Sequence, residues 1–444
     1  MKRAVNKKMM RLKFETVLWT VFLVMFIYLV LSFTIHVQYT QPVSTSEIFQ
    51  RHKHQNLLSA NDEFLRAQAE NAFNVINDNK YKKERRSNGL ESANKNFLNS
   101  AKQNNMTENK PKPATHVAFL KVHKTASSTA QNVFLKFGDE NNLTFVLAHT
   151  KGESGWLNVI SYNNSLTETN IVPPPTGKHF DLLCCHVIYD RKTFETVLPP
   201  DTEYIGIVRE PISRFQSAVK YFSPHFILKL PGKSPLSIYA KNPLAFEPEN
   251  PRNSQTNNRM AVEFGFPTEL FPGKKLNGSQ TEIDNYISKL DKEFKFIIIS
   301  EKFDDSMVIM KRLLNWHTRN VLYLDKNVGG KITNTRKILP PEDKDKIRKF
   351  LYLDTAIYKL AMKRFNQYVE DAGKDFKDEV ADFKSMREKV KTFCQVSKAV
   401  SMLIQATQWY DEFTVTKNDC KMFTKHEKDL IQKQRFRMYG VLEN

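Results

Sequence analysis

The run His123-Lys124-Thr125-Ala126-Ser127-Ser128-Thr129 gathers one imidazole, one ammonium and four hydroxyls into seven consecutive residues, with Lys121 just before them. Such a set suits an anion. The lysine supplies a full charge, hydroxyls and backbone N–H groups supply donors, and a helix starting here adds the positive end of its dipole. A phosphoryl-type group is the natural guest. A second cluster lies 85 residues beyond Lys124, where Arg209 is followed eight residues later by Ser217. Arginine offers a forked, charge-assisted contact, and a serine one or two turns inside the next helix can face the same anion. His123 and His186 have the near-neutral pKa that suits proton transfer. His116, His149 and His179 lack such surroundings and read as ordinary.

Hydrophobic spacing shows what must position these groups. Residues 117–122 predict a buried strand, and Val133, Phe134 and Phe137 mark one face of the helix that follows. No glycine lies between Val117 and Phe137, so the Gly-x-x-x-x-Gly-Lys-Ser/Thr loop of nucleotide triphosphatases is missing. Further strands are predicted at 145–147, at 181–189 with His186 near its end, at 204–209, at 294–300 and at 321–324. Pro211 opens a helix at its favoured first position. Met307, Met310, Leu313 and Leu314 share a helical face, residues 340–390 read as helical, and the last 50 read as helical and basic with no assignable chemistry. This alternation predicts an α/β domain whose central parallel sheet is flanked by helices. Residues 223–280, with eight prolines, read as an irregular insertion of the kind that builds the acceptor side of a pocket.

The 444 residues suit one large α/β domain with appendages. A net charge of +19 fits nucleic acid, an anionic membrane surface or an anionic small molecule alike. The lysines are spread along the chain, and zinc-finger spacing and RNA-binding signatures are absent, so nucleic acid is not expected as a partner. Residues 17–35 hold no charge and follow a basic segment, which predicts a transmembrane signal anchor with a cytosolic tail at 1–16 and a lumenal C-terminal part. Sequons at Asn105, Asn142, Asn163 and Asn277 agree with a lumenal address. Residues 36–113 read as a polar stem. Leu57, Leu58, Phe64, Leu65, Phe73 and Ile76 recur at roughly seven-residue steps there, so the stem is either a dimerising helical seam or an extended spacer. Cys394 and Cys420 can pair in an oxidising lumen, whereas the adjacent Cys184 and Cys185 cannot readily bond to each other. No metal is expected, since Cys-x-x-Cys and His-x-x-x-His spacings are missing.

The first cluster, Leu-Lys-Val-His-Lys-Thr-Ala-Ser-Ser-Thr, resembles the 5′-phosphosulfate loop of the galactose 3-O-sulfotransferases, the family that includes galactosylceramide sulfotransferase. The second is similar to the sulfotransferase motif Arg-x-Pro-x-x-Arg-x-x-Ser-x-x-x-Tyr, here Arg209, Pro211, Arg214, Ser217 and Tyr221, which holds the 3′-phosphate of the donor. Ile299-Ser-Glu-Lys-Phe-Asp-Asp-Ser-Met-Val and Arg252-Asn-Ser-Gln-Thr-Asn-Asn-Arg-Met resemble two further family segments, so the likeness covers roughly residues 115–370. It implies a P-loop-like sulfotransferase fold at 114–370, with a C-terminal helical extension at 371–444. It also implies transfer of sulfate from 3′-phosphoadenosine 5′-phosphosulfate to the 3-hydroxyl of a β-galactose on a glycolipid or glycoprotein, in the Golgi. The donor's partners would be Lys121, Lys124, Thr125, Ala126, Ser127, Ser128, Thr129, Arg209 and Ser217.

Such an in-line displacement needs a cation at the leaving oxygen and a base at the alcohol. Lys124 suits the first task. His186 is favoured for the second, because its strand is similar to the one carrying the base in uronyl 2-O-sulfotransferases, and His123 is the competitor. Ile188 stands where the family often has arginine, which leaves the acceptor open. A sulfotransferase for another sugar and an inactive glycan-binding homologue are the rival readings.

Overall fold

In this computed structural model the described residues are 111–149, 156–273, 280–325 and 334–441. The expected tail, anchor and almost all of the stem, including its apolar seam, fall outside them, as do the sequons at Asn105 and Asn277. Among the described residues no helix is long and apolar enough to cross a membrane.

Val117–Phe119 (β1), Phe145–Val146 (β2), Leu182–Leu183 (β3), Glu203–Val208 (β4) and Phe296–Ile299 (β5) form one parallel sheet in the order β2-β3-β1-β4-β5. Val117 stands opposite Leu182 on one side and Glu203 on the other, and Ile205 stands opposite Phe296. The chain builds outward from β1 in one direction and then in the other. In such sheets the ligand crevice opens beyond the carboxyl ends of the strands flanking that reversal.

Helix α1 (Ser127–Glu140) joins β1 to β2, α2 (Arg191–Val197) precedes β4, and α3 (Pro211–Phe222) follows it. The proline-rich insertion holds α4 (His225–Leu228), α5 (Pro235–Lys241) and α6 (Arg259–Glu263), and α7 (Gln280–Glu293) leads into β5. After β5 come α8 (Phe303–Leu314), α9 (Thr318–Val321), α10 (Lys344–Phe350) and α11 (Tyr352–Val396), the last broken at Gly373 where φ is 63° and ψ −145°. Apolar spacing in α1 finds its purpose here. Phe134 stacks on Phe119 of β1 at 4.5 Å, and Phe137 stacks on Trp316 at 3.8 Å. Each buried phenyl ring contributes about 1.5–3 kcal/mol. Gly138 lets β2 close onto this helix, since a Cβ there would lie 2.3 Å from the Phe145 ring.

Three sequence expectations are corrected. Residues 321–324 are not a strand: α9 ends at Val321, and Leu322, Tyr323 and Leu324 are buried by side-chain packing, with Tyr323 against Phe303 at 4.8 Å. A short apolar run does not reveal whether its backbone will join a ladder. The strand expected over 181–189 keeps only Leu182 and Leu183 in the sheet, and His186 then bridges Val159 instead. The last 50 residues open with an antiparallel hairpin, β6 (Ser401–Ile404) and β7 (Phe413–Thr416), before α12 (Lys417–Thr424) and α13 (Glu427–Tyr439). Residues of this stretch, among them Val415, Leu430 and Ile431, belong to the same apolar core as the sheet.

Cys394 and Cys420 are bonded and tie the end of α11 to α12 across 26 residues. A loop of that length corresponds to about 3 kcal/mol in the chain-entropy treatment. Replacing both cysteines by serine should lower the unfolding free energy by about that amount in a urea titration; an unchanged midpoint would show that packing alone holds the segment.

Candidate active site

The turn between β1 and α1 is made without glycine. Lys124 and Ala126 adopt left-handed φ values of 65° and 62°. Val122's carbonyl oxygen accepts from Thr125 Oγ1 at 2.9 Å and from Ser127 Oγ at 2.6 Å. Left-handed residues alternating with ordinary ones aim successive N–H groups into one anion-binding concavity. Among the described residues the N–H groups of Lys124, Thr125, Ala126, Ser127 and Ser128 donate to nothing, and α1 begins at Ala126 without a side-chain cap. Open donors at a helix start are a phosphate cradle. The hydroxyls of Thr125 and Ser127 therefore shape the loop, and Thr129 is buried in the first helical turn.

The second cluster converges on the first. Arg209, at the end of β4, donates from Nη1 to the Lys124 carbonyl at 3.3 Å, and its Nε lies 3.9 Å from Glu301. Ser300, at the end of β5, places Oγ within hydrogen-bonding reach of the Val208 carbonyl at 2.9 Å and of the Thr125 carbonyl. Glu210 caps α3 by accepting from the Ile212 and Ser213 N–H groups. The N–H groups at that helix start are thus satisfied by Glu210, and Ser217, farther along α3, is part-exposed. Arg214 is fully buried. It donates to the Gln255 and Thr256 carbonyls and lies 3.8 Å from Asp354, so it fastens α3 to the 252–260 segment. Ile188 is buried in the core.

The two lysines of the loop separate in role. Lys124 keeps a half-buried ammonium 3.8 Å above the exposed Tyr221 ring, and burial, with Arg209 and Lys220 nearby, lowers its pKa. Lys121 departs from the expected donor contact: its ammonium is fully buried, donating to Gln131 Oε1 at 2.6 Å and to Glu427 Oε2 at 3.0 Å.

His123 and His186 stack face to face, 3.6 Å between centroids with planes 17° apart. His123 Nδ1 bonds to Glu263 Oε1, and its backbone N–H donates to Oε2 at 2.8 Å. His186 Nδ1 bonds to the Lys121 carbonyl at 2.8 Å and stands 3.6 Å from Glu263. Both Nε2 atoms lack a hydrogen-bond partner among the described residues. Burial lowers the pKa of both rings; Glu263 opposes this at His123, while His186, beside His123 and Lys121, falls to about 3. Burial alone would raise the Glu263 carboxyl, but His123 and Arg259 hold it well below its ordinary value.

Sequence reasoning missed Glu263, which follows the quoted Arg252–Met260 segment by three residues and pairs with Arg259 at 3.6 Å. It also missed Glu427, whose partner Lys121 lies 306 residues away in the chain. The ligand atoms of His123, His186 and Glu263 lie within 4.8 Å of one another, a grouping that no spacing foretold. Rings stacked face to face hold their in-plane lone pairs parallel rather than convergent, and Arg259 and Lys121 add positive charge, so proton transfer suits the trio better than a cation. Burial raises the Cys185 thiol to about 12, which removes it as a nucleophile.

A pH dependence of stability follows. His186 falls from 6.5 unfolded to about 3 folded, so between those values the unfolded chain binds the extra proton and stability drops with acidification. Chemical denaturation at neutral pH and near the lower end of that window should show this loss, and His186→Asn should reduce the slope. Equal slopes in both proteins would contradict the buried neutral imidazole.

A family model described as galactose-3-O-sulfotransferase matches residues 4–414. Galactose-3-O-sulfotransferase 3 of Mus musculus is 31% identical over 222 residues, 49% of each chain. Its Homo sapiens counterpart is 29% identical over 268 residues, 60% of this chain and 59% of that protein. Human galactosylceramide sulfotransferase is 26% identical over 286 residues, 64% of each. The alignments thus span from about half to under two thirds of these curated relatives. With the profile running through both anion-binding segments, this chain belongs to the galactose-3-O-sulfotransferase family.

Proposed function

We propose that the protein transfers a sulfuryl group from 3′-phosphoadenosine 5′-phosphosulfate to the 3-hydroxyl of a β-galactose residue on a glycolipid or glycoprotein glycan. The convergence of the β1 and β4 loops carries this reading, because a donor with phosphates at two ends needs two anion sites in one crevice. The residues present fit it. The open N–H groups of 124–128 suit the 5′ end, and Arg209 with Ser217 suits the 3′-phosphate. When bound, the donor supplies the sulfuryl group and leaves as the 3′,5′-bisphosphate.

Lys124 offers the cation for the leaving oxygen. Its resting contact is an aromatic face rather than a carboxylate, so no strong ion pair opposes its movement. His123, rather than the sequence-favoured His186, suits the base. Its Nδ1 faces the Glu263 carboxylate, which fixes the ring, leaves Nε2 as the acceptor and stabilises the imidazolium once the galactose hydroxyl has given up its proton. His186 leans on a carbonyl and titrates near 3, which makes it a weak base at neutral pH. Tyr162 and Phe222, with ring centroids 5.5 and 6.0 Å from the His123 ring, offer apolar surface near it for a sugar face.

A Golgi membrane location with the catalytic part lumenal fits the apolar segment at 17–35 and the Cys394–Cys420 bond, since disulfides belong to oxidising compartments. The buried Ile188 gives acceptor selection no guanidinium at that position, so uronic-acid and hexosamine acceptors belong in the same assay as galactosides.

Radiolabelled sulfate transfer by the full-length protein tests the reading. Galactosides should accept sulfate, and other sugars should not. His123→Ala should lower kcat by about 10²–10⁴-fold, with His186→Ala having the smaller effect. Lys124→Ala should act mainly on kcat. Transfer to none of these sugars by a protein that binds the donor would favour the inactive homologue, and equal kcat in the His123 variant and wild type would remove His123 as base.

A further inference from the structure

The family match ends at residue 414, yet the helix beyond it reaches the crevice. α13 is fastened to the sheet side of the molecule at several points. Leu430 and Ile431 are fully buried, Lys433 Nζ and Gln434 Nε2 bond to Asp139 at 2.6 and 3.0 Å, and Arg437 Nη1 donates to Asn142 Oδ1 at 2.5 Å. The helix seated by those contacts begins beside the donor loop. There Glu427 places one oxygen 3.0 Å from Lys121 Nζ and accepts from Asn158 Nδ2 with the other, and the Ser128 hydroxyl nearby helps lower its pKa.

These neighbours lead into the crevice described above. Ser128 carries one of the open loop N–H groups. Lys121 presents the carbonyl that holds His186, and Asn158 presents the carbonyl that accepts the His186 backbone N–H at 2.9 Å. A carboxylate beside an anion cradle is otherwise unfavourable. It is explained here by Lys121, whose fully buried ammonium needs a charged partner. Burial pushes the Glu427 carboxyl up, but Lys121 and Ser128 outweigh this and hold it at about 2, so it stays ionised.

We propose that Glu427 is a positioning residue of the donor site, making the helix beyond the family match part of that site. It acts through Lys121, which leads into the loop, and through Asn158, and touches no reacting atom. The proposal rests on the donor reading above.

The test is calorimetric titration of the full-length protein with 3′-phosphoadenosine 5′-phosphate, alongside steady-state sulfate transfer. Glu427→Gln should weaken nucleotide binding about tenfold, the equivalent of one charge-assisted hydrogen bond, and leave the acceptor KM unchanged. Glu427→Asp should restore part of the affinity. Lys433→Ala, which cuts an anchor of the same helix away from the crevice, should lower thermal stability and spare the affinity. If Glu427→Gln does not fold, combining it with Lys121→Met removes the orphaned ammonium, and the same tenfold loss is expected. Wild-type affinity in a folded Gln variant, or an equal loss in Lys433→Ala, overturns the role of the carboxylate. Failure of the wild type to bind the nucleotide would instead overturn the donor reading itself.

Discussion

One hydroxyl, Ser300 Oγ, sits within reach of two carbonyls that come from different strands, Val208 at the end of β4 and Thr125 in the loop after β1. A hydroxyl has a single proton, so it serves these acceptors in turn while fixing the distance between them. Arg209 closes the same gap from the other side by donating to the Lys124 carbonyl. The crevice depends on this clasp, because the two segments lie 85 residues apart in sequence and meet through the Arg209–Lys124 hydrogen bond. Parallel strands make the clasp available. β1, β4 and β5 are neighbours running the same way, so their carboxyl ends and following loops emerge together.

Buried charge organises the rest. Arg214 with Asp354, Arg259 with Glu263, Lys121 with Glu427 and Lys311 with Glu379 are pairs with at least one nearly inaccessible partner. Pairs of this kind are weak contributors to net stability but costly to break, since the survivor is left charged in a poor solvent. Three of the four join segments far apart in the chain and surround the crevice's supporting elements. Around His123 the same logic yields chemistry: an ionised carboxylate held below its usual pKa orients one imidazole and leaves the other on a backbone carbonyl.

Much of this was legible in the residues alone. The loop from His123 to Thr129, the Arg209 cluster, the parallel sheet and the cysteine pair rest on local signals: hydrophobic period, hydroxyl density, a proline at a helix start and a plausible disulfide. What escaped depends on contacts across long sequence separations. Glu263 sits on a five-residue helix inside the proline-rich insertion, where no period marks it. Glu427 stands in a basic helix among lysines, and only folding brings it to Lys121. The preference for His186 over His123 came from resemblance in its strand, and the carboxylate bonded to His123 comes from an insertion whose position only folding reveals. The mistaken strand at 321–324 and the missed hairpin at 401–416 share a cause: short apolar runs are satisfied equally by ladder pairing or by side-chain packing.

The most direct test of the two-ended grip compares binding of 3′-phosphoadenosine 5′-phosphate with that of adenosine 5′-phosphate, in wild type and in Arg209→Ala. The account predicts that the arginine variant loses far more affinity for the bisphosphate than for the monophosphate, because the proposed 3′ contact is direct whereas Arg209 reaches the 5′ loop only through the Lys124 carbonyl. Equal losses for both nucleotides, or none for either, would contradict a crevice built from these two converging segments.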